Sequence, residues 1–150
     1  MTNDKNELII WNSKLSCGIG LIDEQHRKLV EIVNEMFNHV TGDEAQERDY
    51  FNRVIQETVK YTKLHFATEE KIMFVTKFEG YAGHKKEHEK FILTVLDNIH
   101  DYETENQFTL FDFTKFLKDW ILSHIDMVDK QYFEYLKKIT VKKHDNGKKL

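Results

Sequence analysis

A chain of 150 residues that contains no proline and only six glycines can run its backbone as long unbroken helices. The residues that kink or end helices are absent or rare, and the loop chemistry of an all-β fold is missing with them. Apolar residues recur at steps of three and four in four stretches, the signature of a helix with one buried stripe. The first stripe holds Ile22, His26, Leu29, Val33, Met36 and Val40. The second runs through Phe51, Val54, Ile55, Thr58, Thr62, His65, Glu69, Ile72 and Met73. The third has His84, His88, Phe91, Val95 and Ile99, and the fourth Phe113, Phe116, Leu117, Trp120, Ile121, His124 and Val128. Turn signals separate them at Thr41-Gly42-Asp43, at Gly80 to Gly83 and at Glu103 to Gln107. Four helices with short connections predict an all-α fold, an antiparallel up-down-up-down four-helix bundle.

The length is that of one domain, and an apolar share of 40% with eleven Phe can fill a core. A single domain over 1–150 is therefore expected. Residues 1–18 read as an extended arm. Leu8, Ile9, Ile10, Trp11 and Leu15 are too apolar to float free, so the arm should lie on the bundle. The lysine-rich end, from about residue 140 to 150, reads as a frayed basic tail. A net charge of −4 is not that of a nucleic-acid binder. No stretch is apolar enough for a signal peptide or a membrane span. Cys17 is alone, so an internal disulfide is impossible and a reducing, cytoplasmic setting is expected.

The chemistry lies on the stripes. His26, His65, His84, His88 and His124 stand where Leu or Val is expected. Glu69 follows His65 by four residues and His88 follows His84 by four, which puts each pair on one helix face, as paired metal ligands need. Asp129 follows His124 by five, about 140° around an ideal α-helix, so that pair needs two neighbouring metals or a local distortion. Singly such pairs are weak signals. Together they are strong, because antiparallel neighbours bring to one height the residues equidistant from their joining loop. The midpoints between successive groups fall at or near the three turn signals, so all seven residues can meet in one layer. Five imidazoles and two carboxylates buried together are unfavourable without a partner, and a metal is the natural one. His39, His100 and His144 complete no ligand spacing and read as surface residues.

In these motifs the chain resembles the hemerythrin family, in particular its single-domain bacterial members. The matching pieces are Trp11, Asp23-Glu24-Gln25-His26, His65-Phe66-Ala67-Thr68-Glu69-Glu70 with Met73, His84-Lys85-Lys86-Glu87-His88 with Phe91, and Trp120-Ile121-Leu122-Ser123-His124 with Asp129. They extend from about Trp11 to Tyr132. The resemblance implies two non-haem iron ions with a bridging oxo or hydroxo group. His84, His88 and His124 would hold one iron and His26 and His65 the other, with Glu69 and Asp129 bridging both. Counting ligands on that basis leaves one open position, on the two-histidine iron, where O₂ would bind. Ile121, Phe66 and Trp120 are candidates for the wall of the O₂ pocket, and Glu70 is either exposed or a partner that orients a ligand. Phe78-Glu79 stands where many members have Tyr-Pro, which leaves the turn between the second and third helices open.

The implied function is reversible O₂ binding for transport or storage, not an enzymatic one. No acid–base pair, nucleophile or phosphate loop stands out. The alternatives are an O₂, NO or redox sensor acting through a partner protein, and a di-iron peroxidase-like or NO-handling enzyme. O₂ is the expected ligand, NO or small anions could enter the ferric form, and an oxygen-consuming enzyme is a candidate recipient.

Overall fold

The computed structural model describes residues 6–104 and 108–148, and the side chains of these except at 127–129 and 140–148. Helix α1 spans Gly20–Asn38, α2 Glu44–Val75, α3 Tyr81–Thr104 and α4 Leu110–Ser123. A π-helical segment, His124–Asp129, leads from α4 into α5, Lys130–Lys148, so the fourth arm of the bundle is one long helix with a widened turn inside it. No strand occurs among the described residues. Helix α1 packs on α4 and α2, and α2 on α3, giving the predicted four-helix bundle.

The first connection sits at its predicted turn signal; the second, 76–80, ends where the predicted Gly80–Gly83 signal begins, since α3 already starts at Tyr81, and α3 runs into the third signal as far as Thr104. In the first, Gly42 has φ +86°, a left-handed conformation that suits glycine. Asp43 caps α2 by accepting from the Gln46 N–H at 3.1 Å. The buried Glu47 carboxylate accepts from the N–H groups of Thr41 and Gly42 at 2.9 and 2.8 Å. Helix α4 opens with a reciprocal capping box between Thr109 and Asp112.

The turn after α2, which the sequence left open, is a Schellman ending. The Phe78 N–H donates to Met73 O at 3.0 Å and the Lys77 N–H to Phe74 O at 3.2 Å, with Lys77 in the left-handed region at φ 57°. Phe78 then folds inward against Tyr132 and Tyr135. The Tyr135 hydroxyl donates to Thr76 O at 2.6 Å, tying the turn to α5. An apolar anchor and a hydroxyl clamp thus hold a turn that has no proline.

The arm is fastened to α1 by two asparagines. Asn34 accepts from the Ile9 N–H at 2.8 Å and donates to Ile9 O at 2.9 Å, and Asn38 makes the same exchange with Asn6. Ile9 is buried, Leu8, Trp11 and Leu15 pack partly against the core, and the Arg27 guanidinium lies 5.0 Å over the Trp11 ring. Ile10 departs from the expectation and is 67% exposed. The two hydrogen bonds from Asn34 pin the Ile9 backbone with its side chain inward, and Ile10 is left facing outward. The backbone of α5 runs as helix to Lys148, beyond the point where fraying was expected; lysines near a helix C-terminus favour the helix dipole.

Two apolar clusters flank the histidine layer. One gathers Val33, Met36, Phe51, Leu110 and Phe113; the other gathers Ile22, Met73, Tyr132 and Phe133. His26 lies between Ile22 and Leu29 along α1, and Glu69 between Phe66 and Met73 along α2. Threonines on the stripe satisfy themselves: Thr58 and Thr62 donate to the carbonyls of Val54 and Thr58 one turn back.

Lys77 holds a conformation that glycine adopts without strain. Lys77→Gly is expected to raise stability by about 1 kcal/mol, or about 3 °C in Tm, with Lys77→Ala giving no such gain. Thermal unfolding of the two variants in parallel decides it, and equal behaviour would remove the backbone argument.

Candidate metal centre

All four arms of the bundle deliver a side chain to one carboxylate. Glu69 is fully buried on α2, and the Nε2 atoms of five histidines surround it. On the Oε1 side are His26 at 3.2 Å and His65 at 2.9 Å. On the Oε2 side are His84 at 3.3 Å, His88 at 3.3 Å and His124 at 3.4 Å. Two groups of four have ligand atoms all within 4.8 Å of one another: His26, His65, Glu69 and His124, and Glu69, His84, His88 and His124. His124 belongs to both groups by proximity. Its contact with the carboxylate is to Oε2 at 3.4 Å, the atom that His84 and His88 also approach.

Hydrogen bonds to Glu69 from His26, His84 and His124 leave other polar atoms of this layer unsatisfied. His65 Nε2 is 2.9 Å from Glu69 Oε1 but is not aligned to hydrogen-bond with it, and it has no other hydrogen-bond partner. Both ring nitrogens of His88 are likewise buried without a hydrogen bond. Orphaned buried groups of this kind need an explanation, and a cation at the centre of the ring of nitrogens provides one. The donor set of neutral imidazole and carboxylate suits a borderline divalent metal.

The electrostatics agree. Burial alone would push the Glu69 carboxyl upward; the charges of His65 and His124, with hydrogen bonds from His124 and His26, outweigh it and hold Glu69 well below the usual carboxylate range. Burial is the main influence on His88 and pushes it down to about 4. Glu69 is therefore an anion at neutral pH while His88 keeps a neutral ring with a lone pair to give.

Outer contacts set the rings. His65 Nδ1–H donates to Gln25 Oε1 at 2.8 Å, which in a neutral ring leaves Nε2 as the bare nitrogen facing Glu69. The Gln25 amide donates to Thr68 Oγ1 at 3.3 Å. Glu70, for which the sequence left two readings, is half-buried with Oε2 3.5 Å from His88 Nδ1, close enough to act on the ring electrostatically though not aligned for a hydrogen bond. No role for Gln25 was read from the sequence, yet a signal existed. It stands three residues after Ile22 and four before Leu29, on the buried stripe, where an amide needs a polar partner.

Of the three wall candidates, Phe66 stacks on His88 at 3.8 Å and Trp120 on His124 at 4.5 Å, so both rings line the three-histidine side. Ile121 is buried in the larger apolar cluster, one turn before His124. His39 lies at the surface, stacked on Tyr50 at 3.7 Å with its side chain 38% exposed, and His100 is exposed; the side chain of His144 lies outside the described residues. So does that of Asp129. Its backbone is described and belongs to the π-helical segment that starts at His124. The five-residue spacing asked for two neighbouring metals or a local distortion; the backbone here is distorted, and i→i+5 bonding rotates residues five apart closer to one face than an α-helix does.

The Hemerythrin HHE cation binding domain family matches residues 17–136. The chain is 33% identical over 130 residues to a bacteriohemerythrin of Stenotrophomonas maltophilia, covering 87% of this chain and 82% of that one. It is 30% identical over 131 residues to a bacteriohemerythrin of Methylococcus capsulatus, covering 83% and 94%. A crystal structure of a hemerythrin mutant superposes with a TM-score of 0.74 at 26% identity, covering 86% of this chain and 97% of that one.

The depressed His88 value makes the metal-free protein acid-sensitive. The folded state has the group at about 4 against an ordinary 6.5, so between those values the unfolded chain binds more protons. Stability present above pH 6.5 is expected to fall as the pH drops toward 4, by about 3 kcal/mol in all. Urea midpoints of metal-free protein across this range measure it. A profile as steep in His88→Gln as in the wild type would assign the loss to another group.

Proposed function

The chain belongs to the hemerythrin family, and from that premise we propose that it binds molecular oxygen reversibly at a non-haem di-iron centre, as a carrier or store rather than a catalyst. The observation that carries the proposal is the division of five imidazoles about one carboxylate, two on Oε1 and three on Oε2. One carboxylate spanning two metals would be served unequally by such a set, leaving the two-histidine side short of a ligand. On this reading His84, His88 and His124 hold one iron, His26 and His65 the other, and Glu69 bridges them. Asp129 is proposed as the second bridge, supported by the π-helical turn between it and His124.

The two irons, when bound, supply the electrons that O₂ takes up on binding and returns on release. The protein's part is positional. Glu69 is held ionised and His88 neutral, so both present lone pairs without first losing a proton. Gln25 fixes the His65 ring. Phe66 and Trp120 pack flat on His88 and His124 and keep water from their outer faces. A set of neutral imidazoles with few anions favours the ferrous state, which suits binding over further oxidation. No helix of the described residues is long and apolar enough to cross a membrane. The lone Cys17 supports a cytoplasmic setting, where an oxygen-consuming enzyme would be the recipient.

Elemental analysis should find two irons per chain. Ferrous protein should change its absorption spectrum on oxygenation and recover it on deoxygenation. One metal per chain, or mainly zinc, would count against the di-iron reading. His88→Ala should empty the three-histidine side; retained iron and an unchanged oxygenated spectrum would undo that assignment.

Ile121 is proposed as a dry wall of the oxygen site, supported by its burial one turn before His124. With the irons bound, water and protons admitted at this point would favour their oxidation, and closed apolar sites suppress such side reactions. Ile121→Ala should therefore autoxidise severalfold faster than wild type, whereas Val95→Ala, equally buried on α3, should not. Equal rates in folded, iron-loaded Ile121→Ala and wild type would place Ile121 in the core alone.

A further inference from the structure

We propose that the outer face of α2 and α3 is the contact surface of a symmetric homodimer, so that its occupant is a second copy of this chain. Three grooves run end to end along the seam between these helices. Ile55, Val59, Leu96 and Ile99 line the first. Phe66, Ile92 and Leu93 line the second, of about 460 Å³, which reaches His88. Ala67, Phe74 and Tyr81 line the third. Lys63 is shared by the first two and Glu70 by the last two, which makes the seam continuous. Large apolar side chains stand out beside it, with Phe74 70% and Leu93 64% exposed, and soluble monomers rarely keep contiguous apolar patches of this kind. From Ile55 to Phe74 the seam is about 30 Å long at 1.5 Å per residue, and two helices are about 20 Å wide. That footprint approaches the roughly 800 Å² per partner of a standard interface.

The charges along the seam name the partner. Lys63 on α2 and Glu89 on α3 line the same groove. Nearer the α2–α3 turn, Glu70 on α2 and Lys85 on α3 line another, with the signs exchanged. Among the described residues, Lys63, Lys85 and Glu89 make no ion pair within the chain. A twofold axis between the copies and parallel to the helices lays α2 of one over α3 of the other at equal height. Lys63 then meets the partner's Glu89, and Glu70 meets the partner's Lys85, each pair occurring twice by symmetry. Lys60, Lys71 and Glu103 also line these grooves; the exchange of sign belongs to the Lys63–Glu89 and Glu70–Lys85 pairs, and it is what self-recognition requires of them.

The test is the mass of the full chain in solution, by sedimentation equilibrium from micromolar to sub-millimolar concentration, on iron-loaded and metal-free protein alike. The result therefore stands apart from the oxygen-binding reading. Wild type should dimerise. Lys63→Glu and Glu89→Lys should each weaken the dimer by about tenfold or more, and the double variant Lys63→Glu/Glu89→Lys should recover most of the loss. Leu93→Asp should leave a monomer. All three substituted positions are exposed, and circular dichroism verifies that each variant is folded. A wild type that stays monomeric throughout, including one that instead binds vesicles or a foreign protein through this face, overturns the proposal. So does a double variant no stronger than the single ones.

Discussion

The structure is organised around one buried anion. A carboxylate taken out of water without compensation costs several kcal/mol, and a domain of this kind has only about 5–15 kcal/mol of net stability in total. Glu69 is tolerated because five imidazole nitrogens lie within 3.4 Å of it. Those nitrogens come from all four arms of the bundle, so satisfying Glu69 means setting the axial position and rotation of every helix against the others. The imidazoles in turn depend on a cation: His65 Nε2 and the His88 nitrogens lack hydrogen bonds that the protein alone could provide. Helix register, ring orientation and metal affinity are thereby one problem.

What surrounds the layer divides the work. Polar contacts aim the rings, as Gln25 does for His65. Aromatic faces cover them, as Phe66 does for His88 and Trp120 for His124, and Phe91 stacks behind Trp120 at 3.6 Å. Such rings add bulk and dryness without offering a competing ligand. Beyond them, Met73, Tyr132 and Phe133 close one end of the layer, and the Schellman ending of α2 locks that end through Phe78 and Tyr135. The pairing of Glu70 with His88, next to a groove open to solvent, marks the three-histidine side as the one nearer the α2–α3 surface.

Much of this was legible before any coordinates. Helical steps of three and four, a chain free of proline and glycine-marked turns determine a four-helix bundle, because periodicity sets which face is buried and loop length sets which helices are neighbours. The same periodicity places His65 with Glu69 and His84 with His88. Loop midpoints put the groups at one height. That His124 and Asp129 need either two neighbouring metals or a distortion could be stated from an angle alone. The π-helical turn that follows His124 could not, since the local sequence is compatible with an ordinary α-helix.

Tertiary structure decided whatever depends on how the helices are rotated about their own axes. Spacing cannot say which imidazoles share a carboxylate oxygen; the division of two and three emerges only when α1 and α2 face α3 and α4 across Glu69. Nor could the sequence choose between an exposed Glu70 and one beside His88, because a residue next to a ligand lies at the edge of the buried face and a few tens of degrees of rotation settle its side. The outward turn of Ile10 likewise depends on a contact distant in the chain, the pinning of Ile9 by Asn34. Composition and periodicity thus determined the helices and the chemistry they carry. Packing determined the angles between them, because those angles are fixed by contacts between residues distant in the chain.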